Sequence, residues 1–328
     1  MTRLFVDEVS YGGWPHCLRL STSEVELLVT LDVGPRIVRC QRRGGPNLFF
    51  EDPSQQGGRG ELTFQLRGGH RFWTAPESPL SYEADNSPVG VHLLSDSSLM
   101  LVSDCRHGLV KSLLIQSLSP SIFRVRHGLT SHSDEVIHRA AWALSVMAPH
   151  GTALLPQPLL RLHPSVQPMG SPWRDEDLLP DRRLILWPYT DLGDDRLRLH
   201  GRLWTVAQRT DMPPCKLGTS GPPRVVGYQL GSSVFVKDVP SLPGASYPDL
   251  GAQFELYTDA SFLELETLSP VWSLLPSQTQ WHDEHWLLTE TGQDLRIEAA
   301  GIAFLSEAEQ SLRSAITSVS APHLQATY

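Results

Sequence analysis

The chain has 328 residues, of which 40% are hydrophobic and 19% charged, with a formal net charge of -9. A modest acidic balance with scattered Lys and Arg offers no basic stripe to displace counterions from a phosphate backbone, which excludes nucleic acid as the expected partner. No stretch approaches the roughly 20 apolar residues of a membrane span, and Asp7 and Glu8 stand where a secretory signal needs its apolar run. The expectation is a protein of the cytoplasm with no membrane partner. Cys17, Cys40, Cys105 and Cys215 are isolated in sequence, without the short spacing of a zinc ribbon or a dithiol motif, and read as buried thiols. Length alone suggests about two domains, yet large β-sandwiches reach about 200–250 residues as one unit. With no shift in composition along the chain, residues 1–328 are read as one domain.

Period-two alternation and short β-rich runs dominate. In chain order the expected strands are Val25–Leu31, Arg36–Cys40, Leu99–Ser103, Lys111–Leu118, Ile122–Thr130, Ala141–Met147, Arg183–Leu186 and Leu197–Ala207. Val225–Leu230, Ser233–Lys237, Ala252–Thr258, Phe262–Thr267, His285–Glu290 and Leu295–Ala299 follow. Gly44-Gly45-Pro46, Pro213-Pro214 and Gly221-Pro222-Pro223 break the runs, because both residue types constrain the backbone against strand. The Pro-rich, aperiodic segment 149–180 reads as a long ordered loop. One helix is expected: Ser306-Glu-Ala-Glu309 has a capping-box pattern, followed by Leu312, Ala315 and Ile316 at helical spacing. Many strands without a strand–helix rhythm exclude a doubly wound sheet and leave an all-β sandwich or barrel closed by a short C-terminal helix.

Three segments carry residue types suited to chemistry. In Tyr247–Pro270 two strands flank a turn at Asp259-Ala260-Ser261, so Glu264 and Glu266 share one face and Glu255 and Tyr257 another, while Leu263 and Leu265 point to the core. If the strands pair, the carboxylates converge and raise one another's pKa, as a general acid or base near neutrality requires. The alternative is a solvated acidic face. In Leu66–Glu77, paired glycines precede His70, Arg71, Trp73 and Glu77, an aromatic platform with hydrogen-bond donors that suits a polyhydroxylated ligand. The alternative there is a glycine turn with an Arg–Glu pair. In Gln280–Trp286, His282 and His285 fall on opposite faces of an extended segment, so no metal site is expected and His282 and Glu284 share a face beside Trp286. Lys237 stands at the end of its strand, where a lysine is ordinarily solvated. No nucleophile elbow, phosphate loop or dinucleotide fingerprint is present, and no cofactor is expected.

Taken together, Gly68–Glu77, Leu186–Tyr189, Phe235–Lys237, Tyr247–Asp249, Glu255–Thr258, Leu263–Pro270 and His282–Trp286 resemble the galactose-mutarotase-like superfamily, over about Leu4 to Ala300. They resemble more closely an uncharacterised bacterial family within it. The resemblance implies an antiparallel β super-sandwich of galactose-mutarotase type, with a sugar cleft on its concave face. It also implies a small-molecule sugar as partner and an aldose 1-epimerase-like isomerase that interconverts anomers without a metal. Leu265-Glu266-Thr267 is similar to the segment bearing the general-base glutamate of aldose 1-epimerases. His70 resembles a substrate-binding histidine and Arg71 a hydroxyl clamp, with Asp249 as a sugar-hydroxyl acceptor. The family's Asn-His-x-Tyr-Phe segment, which holds its general acid, is missing. The corresponding region is Ala141–Gly151, with Trp142 and His150, so His70 and His150 are the candidate acids. Trp73, Glu77, Trp142, Lys237, Glu255, Glu264 and His282 complete the expected substrate-binding set. A non-catalytic carbohydrate-binding module using the same cleft is the alternative.

Overall fold

The computed structural model describes residues 2–159, 163, 178–220 and 224–320. Strands β1 (Phe5–Tyr11), β2 (Trp14–Ser21), β3 (Val25–Thr30), β4 (Arg36–Arg42) and β5 (Gly69–Ala75) follow one another across a first sheet. Strands β6 (Gly90–Ser95), β7 (Ser98–Val102), β8 (Leu109–Ser117) and β9 (Ile122–Ser131) then build one side of a second. The chain afterwards alternates. β10 (Ile137–Met147) returns to the first sheet and β11 (Thr152–Pro156) to the second; β12 (Arg183–Leu186) lies in the first, β13 (Leu197–Arg198) and β14 (Leu203–Ala207) in the second. β15 (Cys215–Ser220) belongs to the first sheet, β16 (Val225–Leu230) and β17 (Ser233–Asp238) to the second. The hairpin β18 (Phe254–Thr258) and β19 (Leu263–Leu268) joins the first sheet; β20 (Trp272–Leu274) pairs with the start of β10, and β21 (Thr279–Glu290) completes the second. Every strand pair is antiparallel, which gives two sheets packed face to face.

Alternation sets the layers. Leu20, Leu27, Leu263 and Leu265 of the first sheet meet Phe123, Val125, Phe235 and Trp286 of the second in one apolar core. Burial of each such side chain contributes about 1.5–3 kcal/mol. The outer face of the second sheet is covered by α1 (Glu298–Ser320), whose Leu305, Ala308 and Leu312 pack on Leu154, Val234 and Val236. No helix among the described residues is long and apolar enough to cross a membrane. The described cysteines are free thiols, and Cys105 is exposed rather than buried.

Several expectations change. Leu295–Ala299 is not a strand: α1 begins at Glu298, and Ser306 caps nothing, since its hydroxyl donates to the Ile302 carbonyl at 2.8 Å within the helix. Leu197–Ala207 is split into β13 and β14 by a turn at Gly201, where φ is 68°. The segment expected as a loop over 149–180 contains β11, while most of its remainder lies outside the described residues.

The entry into β5 depends on its two glycines. Gly68 and Gly69 have φ of 87° and 75°, and a Cβ on Gly69 would stand 2.4 Å from the Ile37 carbonyl oxygen. Gly69→Ala therefore meets both a positive φ and neighbouring backbone. It is expected to lower the unfolding free energy by about 1–3 kcal/mol or more, read as a lower urea midpoint at unchanged m. An unchanged midpoint would contradict this constraint.

Candidate functional site

Five adjacent strands of the first sheet, in the order β5, β10, β19, β18, β15, place their outward side chains on one patch. Directly opposed residues of an antiparallel pair share a face. Trp73 lies opposite Trp142, and Leu144 lies between Arg71 and Glu266. Glu266 in turn opposes Glu255, while Tyr257 opposes both Glu264 and Lys216. Arg71, Trp73, Trp142, Glu255, Glu264, Glu266 and Lys216 thus stand together, and all are buried.

The polar groups pair across strands. Arg71 Nη2 donates to Glu264 Oε1 at 2.8 Å, and Trp142 Nε1 to Glu266 Oε2 at 2.7 Å. Lys216 Nζ lies 2.8 Å from Glu255 Oε2 and 3.4 Å from Glu266 Oε2. Its ammonium also sits over the rings of Trp142 and Trp187, at 4.7 and 4.8 Å. The Arg71 guanidinium covers Trp73 at 4.4 Å, and Trp73 meets Trp142 edge to face at 5.4 Å. Tyr82 packs on Trp73 at 4.9 Å and donates to Glu77 Oε1 at 2.5 Å, so Glu77 stands at the rim.

Three carboxyl groups on one floor disturb one another. Burial first, then the neighbouring Glu266, push Glu264 up to about 7 against the pull of Arg71. Burial and Glu266 also hold Glu255 well above the ordinary carboxyl range, with Asp249 near enough to add to the effect. Burial disfavours the Lys216 charge, but Glu266 and Glu255 outweigh it and raise its pKa. Glu266 Oε1, Glu255 Oε1, Arg71 Nη1 and Trp73 Nε1 are buried without a hydrogen-bond partner. Each such group costs about 1–3 kcal/mol unless water or a ligand completes it. The face thus gathers unpartnered acceptors and donors beside a pair of buried tryptophans.

Four residues expected in the cleft lie elsewhere. His70 alternates with Arg71 and points between the sheets, where its Nδ1 meets Ser145 Oγ at 2.9 Å. His282 also faces the interior and bonds Thr267 Oγ1 through Nε2 at 2.8 Å. Lys237 is not a solvated strand end: β17 is central in its sheet, and the ammonium is fully buried against Glu284 Oε1 at 2.9 Å and the Leu265 carbonyl at 3.1 Å. His150 sits at the margin of the second sheet beside a surface cavity of about 430 Å³, with Gln229, Asp294 and Arg296. None of the four reaches Glu266. Conversely, Lys216, Trp187 and Tyr189 were not expected at the site. Lys216 was passed over because a lysine beside a Gly/Pro-rich stretch ordinarily faces water.

The interior histidines form a separate network. The ligand atoms of His70, His127 and Glu284 lie within 4.8 Å of one another, which is a possible donor set for a metal ion. Their hydrogen bonds close without one. His127 Nδ1–H donates to the His282 carbonyl at 3.1 Å, so its Nε2 accepts from His70 Nε2–H at 2.7 Å, and His70 Nδ1 accepts from Ser145. The Glu284 carboxylate already accepts from Lys237, Thr267 and Trp286. A divalent ion would add two positive charges beside Lys237 in a dry interior, against a single carboxylate. The donor set does not fit a metal.

This network sets a pH dependence. Burial holds His70 and His127 below the ordinary value of 6.5 and His282 down to about 3, so the folded state keeps them neutral while the unfolded chain protonates. Between pH 6.5 and 4.5, unfolding therefore takes up protons at the three histidines and releases them from Glu255 and Glu264, whose folded pKa values are raised. Glu284 and Asp85, held below the usual carboxyl range by Lys237 and Arg36 against their burial, add to the uptake as pH drops, so stability is expected to fall through the lower part of that window. Urea unfolding at a series of pH values reads the slope; stability rising toward pH 4.5 would contradict neutral interior histidines.

No family model and no curated protein matches the sequence. Solved structures are similar to it. A protein from Synechocystis sp. PCC 6803 has a TM-score of 0.54 at 11% identity, over 88% of this chain and 97% of its own. A galactose mutarotase-like protein from Lactobacillus casei ATCC 334 has a TM-score of 0.52 at 10% identity, over 83% of this chain and 100% of its own. An aldose 1-epimerase-like protein from Escherichia coli K12 gives 0.50 at 13% identity, over 88% and 100%. At such identities the likeness is one of fold. The chain has the fold of the galactose mutarotase-like proteins, nearly all antiparallel β in two packed sheets with a C-terminal helix.

Proposed function

We propose that the protein binds a sugar on the outer face of the first sheet, over Trp73 and Trp142, and interconverts its anomers there. The observation that carries this reading is the unpartnered Oε1 of a buried Glu266, set among two further carboxyl groups and beside a tryptophan pair. Glu266 takes the proton of the anomeric hydroxyl as the C1–ring oxygen bond breaks and the C1 carbonyl forms. The ring oxygen must receive a proton in the same step. With His70 in the core and His150 beside another cavity, that donor is a protonated Glu255 or Glu264, both kept protonated toward neutrality by burial and by Glu266. Lys216 balances the charge that builds on the floor. Rotation of the opened aldehyde and reclosure give the other anomer.

The absence of a histidine opposite Glu266 among the described residues favours a second reading, in which the same face only binds sugar. Anomer exchange followed by NMR saturation transfer on a panel of free aldoses separates the two. Accelerated exchange supports the isomerase. Line broadening of the sugar without acceleration supports the binder, and an inert panel contradicts both.

A further inference from the structure

The floor of the cleft holds three carboxyl groups, Glu255, Glu264 and Glu266, but only two cations, Arg71 and Lys216, among the described residues. Both cations are engaged. Arg71 gives Nη2 to Glu264 at 2.8 Å and keeps Nε and Nη1 unpartnered, and Lys216 bridges one oxygen each of Glu255 and Glu266. The remaining oxygens, Glu255 Oε1 and Glu266 Oε1, are fully buried acceptors with no donor. Acidic groups continue outward, with Asp249 near Glu255 and Glu77 at the rim, and the other polar groups facing the floor are the phenols of Tyr82, Tyr189 and Tyr257. Toward Glu255 and Glu266 the floor lacks two donors, since the unpartnered Arg71 Nε and Nη1 and Trp73 Nε1 stand on β5, three and two strands away.

We propose that the ligand supplies them: the cleft takes a sugar bearing a protonated amine, which sets its ammonium against Glu255 Oε1 and Glu266 Oε1. This inference rests on the sugar-cleft reading and narrows it to a substrate class. A phosphorylated or carboxylated sugar can reach Arg71 Nε and Nη1 but brings further negative charge to a floor where three carboxyl groups face two cations. A neutral sugar satisfies the acceptors through hydroxyls and leaves the proton of Glu255 in place. An ammonium donates to both oxygens, and its charge favours the ionised form of Glu255, whose proton is otherwise held by burial and by Glu266.

Titration calorimetry near neutral pH tests this with D-glucosamine, D-galactosamine, the parent D-glucose and D-galactose, N-acetyl-D-glucosamine and D-glucose 6-phosphate. A hexosamine is expected to bind about tenfold tighter than its parent hexose, with the 6-phosphate weakest. Repeating the titration in buffers of different ionisation heat should show proton release with the amine and none with the hexose. Glu255→Gln is expected to bring the hexosamine and hexose association constants together, whatever the absolute affinities. Wild type alone also decides the matter, because equal binding of hexosamine and hexose, or tight binding of the phosphate, overturns the amine assignment and leaves the sugar cleft standing. Failure of every sugar to bind overturns the cleft itself.

Discussion

Replacing Glu266 by Gln is expected to slow catalysed anomer exchange by about 10²–10⁴-fold while sugar affinity changes little. The substitution keeps an oxygen to accept from Trp142 Nε1, and Lys216 retains Glu255 at 2.8 Å, so the floor keeps its shape. What disappears is the one oxygen that could take a proton, the buried and unpartnered Oε1. Binding contacts from Trp73, Trp142 and Arg71 stay in place. Saturation-transfer NMR gives the rate, and ligand line broadening gives the affinity from the same samples. Exchange at the wild-type rate would remove Glu266 as base and shift attention to Glu264, the neighbour held at about 7.

The largest loss of stability is expected from Lys237→Ala. Lys237 and Glu284 face one another between the sheets with no exposed side-chain surface. Removing the ammonium leaves a carboxylate charged in a dry core and the Leu265 carbonyl without this donor. Breaking a buried pair in this way costs about 3–5 kcal/mol. Burial opposes ionisation of Glu284, yet Lys237 outweighs it and holds the carboxyl below its usual range, as a true ion pair requires. Replacing both partners, Lys237→Met with Glu284→Gln, is expected to recover at least half of the loss, since the amide oxygen still accepts from Trp286 Nε1 and the amide nitrogen donates to Thr267 Oγ1. Denaturant unfolding measures both; a loss below about 1 kcal/mol for the single variant would mean that water reaches the pair.

Strand alternation made the acidic hairpin legible before the fold was known. Glu264 and Glu266 share a face because residues two positions apart lie on one side of a strand, and the Asp259 turn forms as its residues suggest, with Asp259 Oδ1 accepting from the Ser261 amide at 2.7 Å. The same period should have divided Gly69–Ala75, since Arg71 and Trp73 alternate with His70 and Phe72. His70 belongs with the core for that reason, although Arg71 beside it stands on the outer face of the first sheet. That segment was not assigned as a strand, so its two faces were not separated. Lys216 and Lys237 show a different limit. Lysine is ordinarily solvated, and only pairing of strands distant in sequence reveals that each meets a carboxylate, Lys216 across β15 and β18 and Lys237 across β17 and β21. His127 gave no local signal either, because its partners come from β5 and β21. At the C-terminus, the capping-box pattern at Ser306 was a correct sign of helix but a wrong sign of its start. The true first turn begins at Glu298, whose carboxylate accepts from the Arg202 amide at 2.8 Å.

The location of the sugar is the centre of this account, and a crystal structure of the protein soaked with an aldose tests it most directly. The ring is expected over the Trp73–Trp142 pair, with a hydroxyl or amine within hydrogen-bond distance of Glu266 Oε1. A sugar ordered instead in the cavity beside His150 and Asp294, with the Glu266 face empty, would contradict it.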